Sequence, residues 1–130
     1  MEASVLLDAH VQLKRIYTVL NECLDLTRQL ADAVDRRDEV AIQLLVSMRE
    51  EPVGRLRRAN TALEYQQDAL DPEPGRRLGE LLKGGEPKDE SEAPLAKQVS
   101  MNARLLQQVY ELDKAVNLKL NREKSIYHSK

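Results

Sequence analysis

Residues 3–34 read ASVLLDAHVQLKRIYTVLNECLDLTRQLADAV, and this stretch decides the fold class. Leu6, Leu13, Leu20, Thr27 and Val34 recur every seven residues, and Ala9, Ile16, Cys23 and Leu30 follow them at an offset of three. That rhythm is the a/d seam of a helix lying lengthwise against other helices, because it keeps one apolar stripe turned toward a neighbour. Val5, Val19, Leu24 and Leu26 widen the stripe, enough to touch two neighbours rather than one. The spacing predicts a helix over about 3–34.

The composition agrees. Of 130 residues 42% are apolar and 32% charged, and four Tyr are the only aromatics. A β-rich domain draws on more aromatic and β-branched residues, whereas a Leu-rich bundle has a core one side chain deep and needs no large rings. The expected fold is all-α: an elongated antiparallel three-helix bundle or coiled coil, one domain spanning 1–130. A net charge of −2 creates no general field to draw nucleic acid or an anionic membrane. Cys23 is the only cysteine; on the seam it acts as a small hydrophobe and suits a reducing compartment. Glu2, Asp8, His10, Lys14 and Arg15 leave no room for a signal-peptide core, and no uncharged run approaches a membrane span. A cytoplasmic location is expected.

Beyond the first helix, Asp38 is placed to cap a second, with Glu39 in its first turn. So short a break folds the second helix back on the first, over about 39–70. Pro52 interrupts it. The apolar pattern keeps its phase across the proline, which favours a kink near Met48–Glu51 over two abutting helices with Pro52 in the first turn of the second. The Gly/Pro-punctuated acidic stretch 71–94 reads as an irregular, partly mobile connection or a docking lobe, within which Arg76–Lys83 has the pattern for two helical turns with Leu78, Leu81 and Leu82 on one side. A third helix is expected over about 95–121, carrying Met101, Leu105, Val109, Leu112, Val116 and Leu120, with Asn102 and Asp113 beside the stripe. The tail 122–130 loses the pattern but keeps Ile126 and Tyr127.

No residue set points to chemistry. His10, Cys23 and His128 lack the spacing of a metal site, and no glycine-rich phosphate loop occurs, so neither a metal nor a cofactor is expected. The carboxylates fall opposite the apolar stripes, as on a solvated helix surface, so the protein is expected not to be an enzyme. His10 with Lys14 offers one catalytic alternative, histidine phosphotransfer. Such domains place the lysine three residues on, followed by a small residue; here it stands four on and Arg15 follows. Arg55, Arg57 and Arg58 cluster without an aromatic platform for bases, so nucleic acid is not an expected partner.

Taken together, the chain resembles the FlgN-type flagellar export chaperone family over most of its length. The resemblance rests on the long Leu-rich first helix, on Arg37-Asp38 opening the second, and on Leu44-Leu45-Val46-Ser47-Met48-Arg49-Glu50-Glu51-Pro52-Val53. It continues through Asn102-Ala103-Arg104-Leu105-Leu106, Leu112-Asp113-Lys114 and Lys124-Ser125-Ile126-Tyr127. Pro52 and the Gly/Pro-rich acidic stretch depart from the plain pattern. The resemblance implies a cytoplasmic, non-enzymatic chaperone that holds secreted hook-associated (hook-filament junction) subunits before export. In that family the C-terminal helical region engages substrate. This points to Asn102, Leu105, Val109, Leu112, Val116, Ile126 and Tyr127 as contacts for a helical segment of the cargo. The alternative is a structural or self-assembling coiled-coil protein, a homo-oligomer formed through the helix seams.

Overall fold

The computed structural model describes the backbone of residues 1–128 and the side chains of residues 1–122. Among these, every regular element is an α-helix: α1 Ala3–Asp35, α2 Glu39–Met48, α3 Glu50–Asp68, α4 Pro72–Leu82 and α5 Ala93–His128. The protein is all-α, and none of these helices is long and apolar enough to cross a membrane.

The seam of α1 is buried along its whole length, from Leu6 and Ala9 to Leu30 and Val34. Its extra width goes to two sides, because α1 packs against α2 and α3 on one flank and α5 on the other. The chain leaves α1 through a left-handed turn: Arg37 has φ 56°, its N–H reaches the Val34 carbonyl at 3.0 Å, and the Asp38 N–H reaches that of Ala33 at 3.0 Å. These are the two bonds of a Schellman motif. Asp38 then caps α2 by accepting from the Ala41 N–H at 3.1 Å, which sends the chain back along α1.

At Pro52 the helical path is interrupted by one residue, Arg49, which keeps αR dihedrals (φ −71°, ψ −17°) and lies inside the Met48–Glu51 stretch where the break was expected. The second helix divides at Arg49 into α2 and α3, and Pro52 is the third residue of α3. Its missing N–H falls where a helix has no internal acceptor for one, so the proline costs α3 no hydrogen bond.

The stretch 71–94 differs from the irregular connection expected of it. Pro72–Leu82 is a helix. Pro72 opens it and Pro74 lies in its first turn, where both are tolerated. Gly75 and Gly79 stand where α4 closes on the end of α3: a Cβ on Gly75 would lie 3.2 Å from the Gln67 carbonyl oxygen. That approach drives Leu78 and Leu81, both fully buried, into the core. The helix ends in a second Schellman motif, with Gly84 at φ 99° and the Gly85 N–H on the Glu80 carbonyl at 2.8 Å.

The short segment that follows is held by Arg77. Its Nη2 donates to the Glu86 carbonyl at 2.8 Å and to Glu92 Oε1 at 2.5 Å, and its Nε donates to Glu92 Oε2 at 3.2 Å. Glu92 is buried, and the Arg77 guanidinium holds its carboxyl below the usual range against the opposing effect of burial. The last helix begins two residues earlier than the periodicity indicated and continues through His128, so residues 122–128 of the expected loose tail belong to α5.

The direction of α5 follows from its contacts. Asn102 meets Leu13 and Lys119 meets Asp35, so α5 runs parallel to α1. The core forms two clusters. The larger gathers Leu6 to Leu24 of α1 with Ala59, Leu63, Leu78, Leu81, Leu95, Val99 and Leu105. The smaller gathers Leu30, Ala33 and Val34 with Leu45 and Val116. Between them lie buried Cys23 and Thr27, whose hydroxyl donates to the Cys23 carbonyl at 2.7 Å. Burial pushes the Cys23 thiol up, away from the reactive thiolate.

A candidate helix-binding groove

Both α3 and α5 rest on α1, yet no Cα of one lies within 8 Å of a Cα of the other. The space between them is a groove of about 490 Å³. Leu13, Ile16 and Leu20 of α1 form its floor. Leu56 and Leu63 stand on the α3 side, Val99, Ala103 and Leu106 on the α5 side, and Leu82 of α4 borders it. The Arg49–Asp113 pair, at 2.5 Å, bridges the same two rods about two helical turns beyond Leu106.

The α5 wall is apolar yet open. Leu106 is 52% exposed and Tyr110, one turn on, is 60% exposed. Residues four apart share a helix face, so the two form a ridge with no covering element among the described residues. A leucine left half in water forfeits about 1 kcal/mol of its burial free energy, which a partner's apolar face would recover.

The residues that the family resemblance marks as contacts fall in different places. Asn102 borders the groove but is only 8% exposed, and its polar groups are already engaged. Its Nδ2 donates to the Leu13 carbonyl at 2.9 Å, and its Oδ1 accepts from Gln98 Nε2 at 2.9 Å. Leu105 is buried in the larger cluster, Val109 and Leu112 pack against it half-buried, and Val116 is buried in the smaller cluster. Ile126 and Tyr127 lie outside the residues whose side chains are described. Four of the seven therefore build the core, and of the seven Asn102 lines the groove, beside Val99, Ala103 and Leu106. The Leu105-Leu106 doublet carried the available signal, since neighbours on a helix point about 100° apart and Leu105 already falls on the periodic core stripe.

His10 lies half-buried on α1. Arg55 is taken up by Glu22 and by Glu51, and its hydrogen bond to Glu22 raises its pKa further. Among the described residues no group of three His, Cys, Asp or Glu side chains is arranged to hold a metal. No protein-family model, curated protein or solved structure matches the chain.

Proposed function

We propose that this protein is a carrier for a helical segment of another protein, received in the groove between α3 and α5. In the specific form suggested by the FlgN-type resemblance, it is a non-enzymatic, cytoplasmic export chaperone. Its cargo is then a helical segment of a secreted hook-associated subunit. The bundle serves this role as an elongated three-rod scaffold, with α1 central and the broken α2–α3 rod and α5 on its flanks.

The observation that carries the reading is the separation of α3 and α5 over an apolar floor. A helix is about 10 Å across with its side chains, so an amphipathic helix laid there would cover Leu56, Leu63 and Leu106 without any chemical step. Ordering a flexible cargo segment consumes part of the gain and keeps the complex reversible, as delivery requires.

The test is binding of fluorescent terminal-helix peptides from a hook-associated subunit to the intact protein, with Ala103→Trp to fill the groove. Micromolar binding lost in Ala103→Trp supports the reading. Equal binding by the filled variant, or no binding to the wild type, refutes it.

A second reading, self-assembly, has its own observation. Val40 is 79% exposed, and Leu44 and Met48 continue the same α2 face, also exposed. A cargo-independent oligomer that Leu44→Glu disperses, seen by light scattering, would favour it.

A further inference from the structure

Between Glu39 and Arg49 the sequence carries no Asp, Glu, Lys or Arg, the longest such run in a chain that is 32% charged. That run is α2, the most apolar of the five helices, yet of its 10 residues only Leu45 is buried. A helix apolar on most sides is normally covered on most sides. Here Val40 is 79% exposed, Leu44 60% and Met48 47%, and at a spacing of four they form one ridge about 12 Å long. Single exposed leucines are ordinary on a protein surface, whereas a continuous apolar ridge marks a contact face.

Beside the ridge runs a cleft of about 350 Å³, lined by Leu44 and Met48 of α2 and by Gln29, Asp32 and Arg36 of α1. Asp32 and Arg36 are joined at 3.4 Å, so neither charge calls for a partner there. The same surface thus holds an apolar ridge and the hollow next to it, as a two-fold contact between identical chains requires. The charges give the direction. Arg37 stands three residues before Val40 and Glu51 three residues after Met48, both exposed. Two copies laid parallel would set Arg37 level with Arg37 and Glu51 level with Glu51. Laid antiparallel about Leu44, each Arg37 comes level with the other copy's Glu51, which keeps Arg55 as its own neighbour at 3.0 Å.

We propose that a second copy of this chain covers the ridge, α2 against α2 in antiparallel, with Leu44 on the two-fold axis and Val40 beside the other copy's Met48. The proposal deepens the self-assembly reading, on which it rests, by fixing the partner and the symmetry. The 10 residues of α2 on each side fall short of the roughly 20–30 of a standard interface, so the dimer forms and separates reversibly. It also leaves the cargo groove free. On α1 the cleft residues Gln29, Asp32 and Arg36 lie about half a turn round the helix from Leu13, Ile16 and Leu20.

The experiment places single cysteines in the full chain, whose native Cys23 is buried and does not compete, and oxidises them with glutathione disulfide. Leu44→Cys yields a disulfide-linked dimer. Val40→Cys alone does not, because its two copies stand about 12 Å apart along the helices, beyond the reach of a disulfide. Mixed with Met48→Cys, it cross-links. Sedimentation equilibrium of the wild type at submillimolar concentration shows monomer and dimer and nothing larger, since a two-fold contact closes on itself. Arg37→Glu and Glu51→Arg each weaken the dimer about tenfold, and together they restore it. An oligomer in which Leu44→Cys fails to cross-link, Val40→Cys links to itself, or the paired charge reversals restore nothing overturns the antiparallel dimer while self-assembly stands. So does an assembly larger than a dimer. A wild type that stays monomeric overturns both.

Discussion

Replacing Asn102 by alanine tests the packing of α5 on α1 at its most specific point. The side chain makes two hydrogen bonds at 2.9 Å, one across to the Leu13 carbonyl and one from Gln98 Nε2. Alanine removes both, each worth about 1 kcal/mol net. The Leu13 carbonyl lies inside α1 and keeps its helical partner, so losing Asn102 does not strand it. Gln98 is buried, and its amide loses the acceptor, adding about 1 kcal/mol at the lower end for an unsatisfied group. The sum is about 3 kcal/mol, or roughly 10 °C in melting temperature for a chain of this size. Urea unfolding followed by circular dichroism measures it. A cycle with Gln98→Ala should return a coupling of about 1 kcal/mol between the pair. A loss under about 0.5 kcal/mol with an unchanged urea slope would refute the buried network. If Asn102→Ala were as stable as the wild type but failed to bind a helical peptide, Asn102 would be a contact residue, not a structural one.

Four further outcomes follow, three from the backbone and one from an ion pair. Arg37→Gly should raise stability by about 0.5 kcal/mol in urea unfolding, because a side chain at φ 56° bears a penalty that glycine lacks, partly offset by glycine's freedom in the unfolded chain. Gly85→Ala should cost about 1–2 kcal/mol in the same assay, since its Cβ would stand 2.8 Å from the Glu80 carbonyl oxygen. Gly79→Ala should change stability by less than about 0.5 kcal/mol: the clash is with the mobile end of Gln67, and helix propensity compensates. Glu92 has its folded pKa lowered by Arg77, so it stabilises the fold above the ordinary glutamate range and ceases to as pH falls through the lowered value. The urea midpoint of Glu92→Gln should therefore fall less over that acid window than the wild type's, from a lower starting point at neutral pH.

The all-helical class was legible because α1 states it in every turn, and burial follows the seam residue by residue. Asp38 was legible as a cap because a side-chain acceptor at that point serves one purpose. The helix α4 was legible only in its second half, where Arg76–Lys83 reads as two turns with Leu78, Leu81 and Leu82 on one side. Pro72 and Pro74 read as breakers, but in a first turn they break nothing, and Gly75 and Gly79 are inside the helix where it closes on Gln67. The same letters thus mean loop or close approach according to a neighbour that the linear pattern does not reveal. The groove was hidden for the converse reason. Apolar periodicity finds the face that is already buried, which on α5 is Leu105 and Val116, and passes over the face left open, which is Ala103 and Leu106.

That open face follows from the polar residues around it. For α3 to close on α5, the flank of α3 carrying Asn60, Glu64 and Gln67 would have to enter the gap between them. The opposing flank offers the Asn102 amide, already committed to Leu13 and Gln98. Burying Glu64 there without a cation would cost several kcal/mol, more than the added contact of Leu56 with Leu106 would return. The two rods therefore each settle on α1 and stay apart. Where α5 and the α2–α3 junction do come together, at Arg49 and Asp113, they do so through opposite charges. Replacing Glu64 and Asn60 by leucine would remove the obstacle, letting α3 close on α5 and erasing the groove while the rest of the core kept its packing.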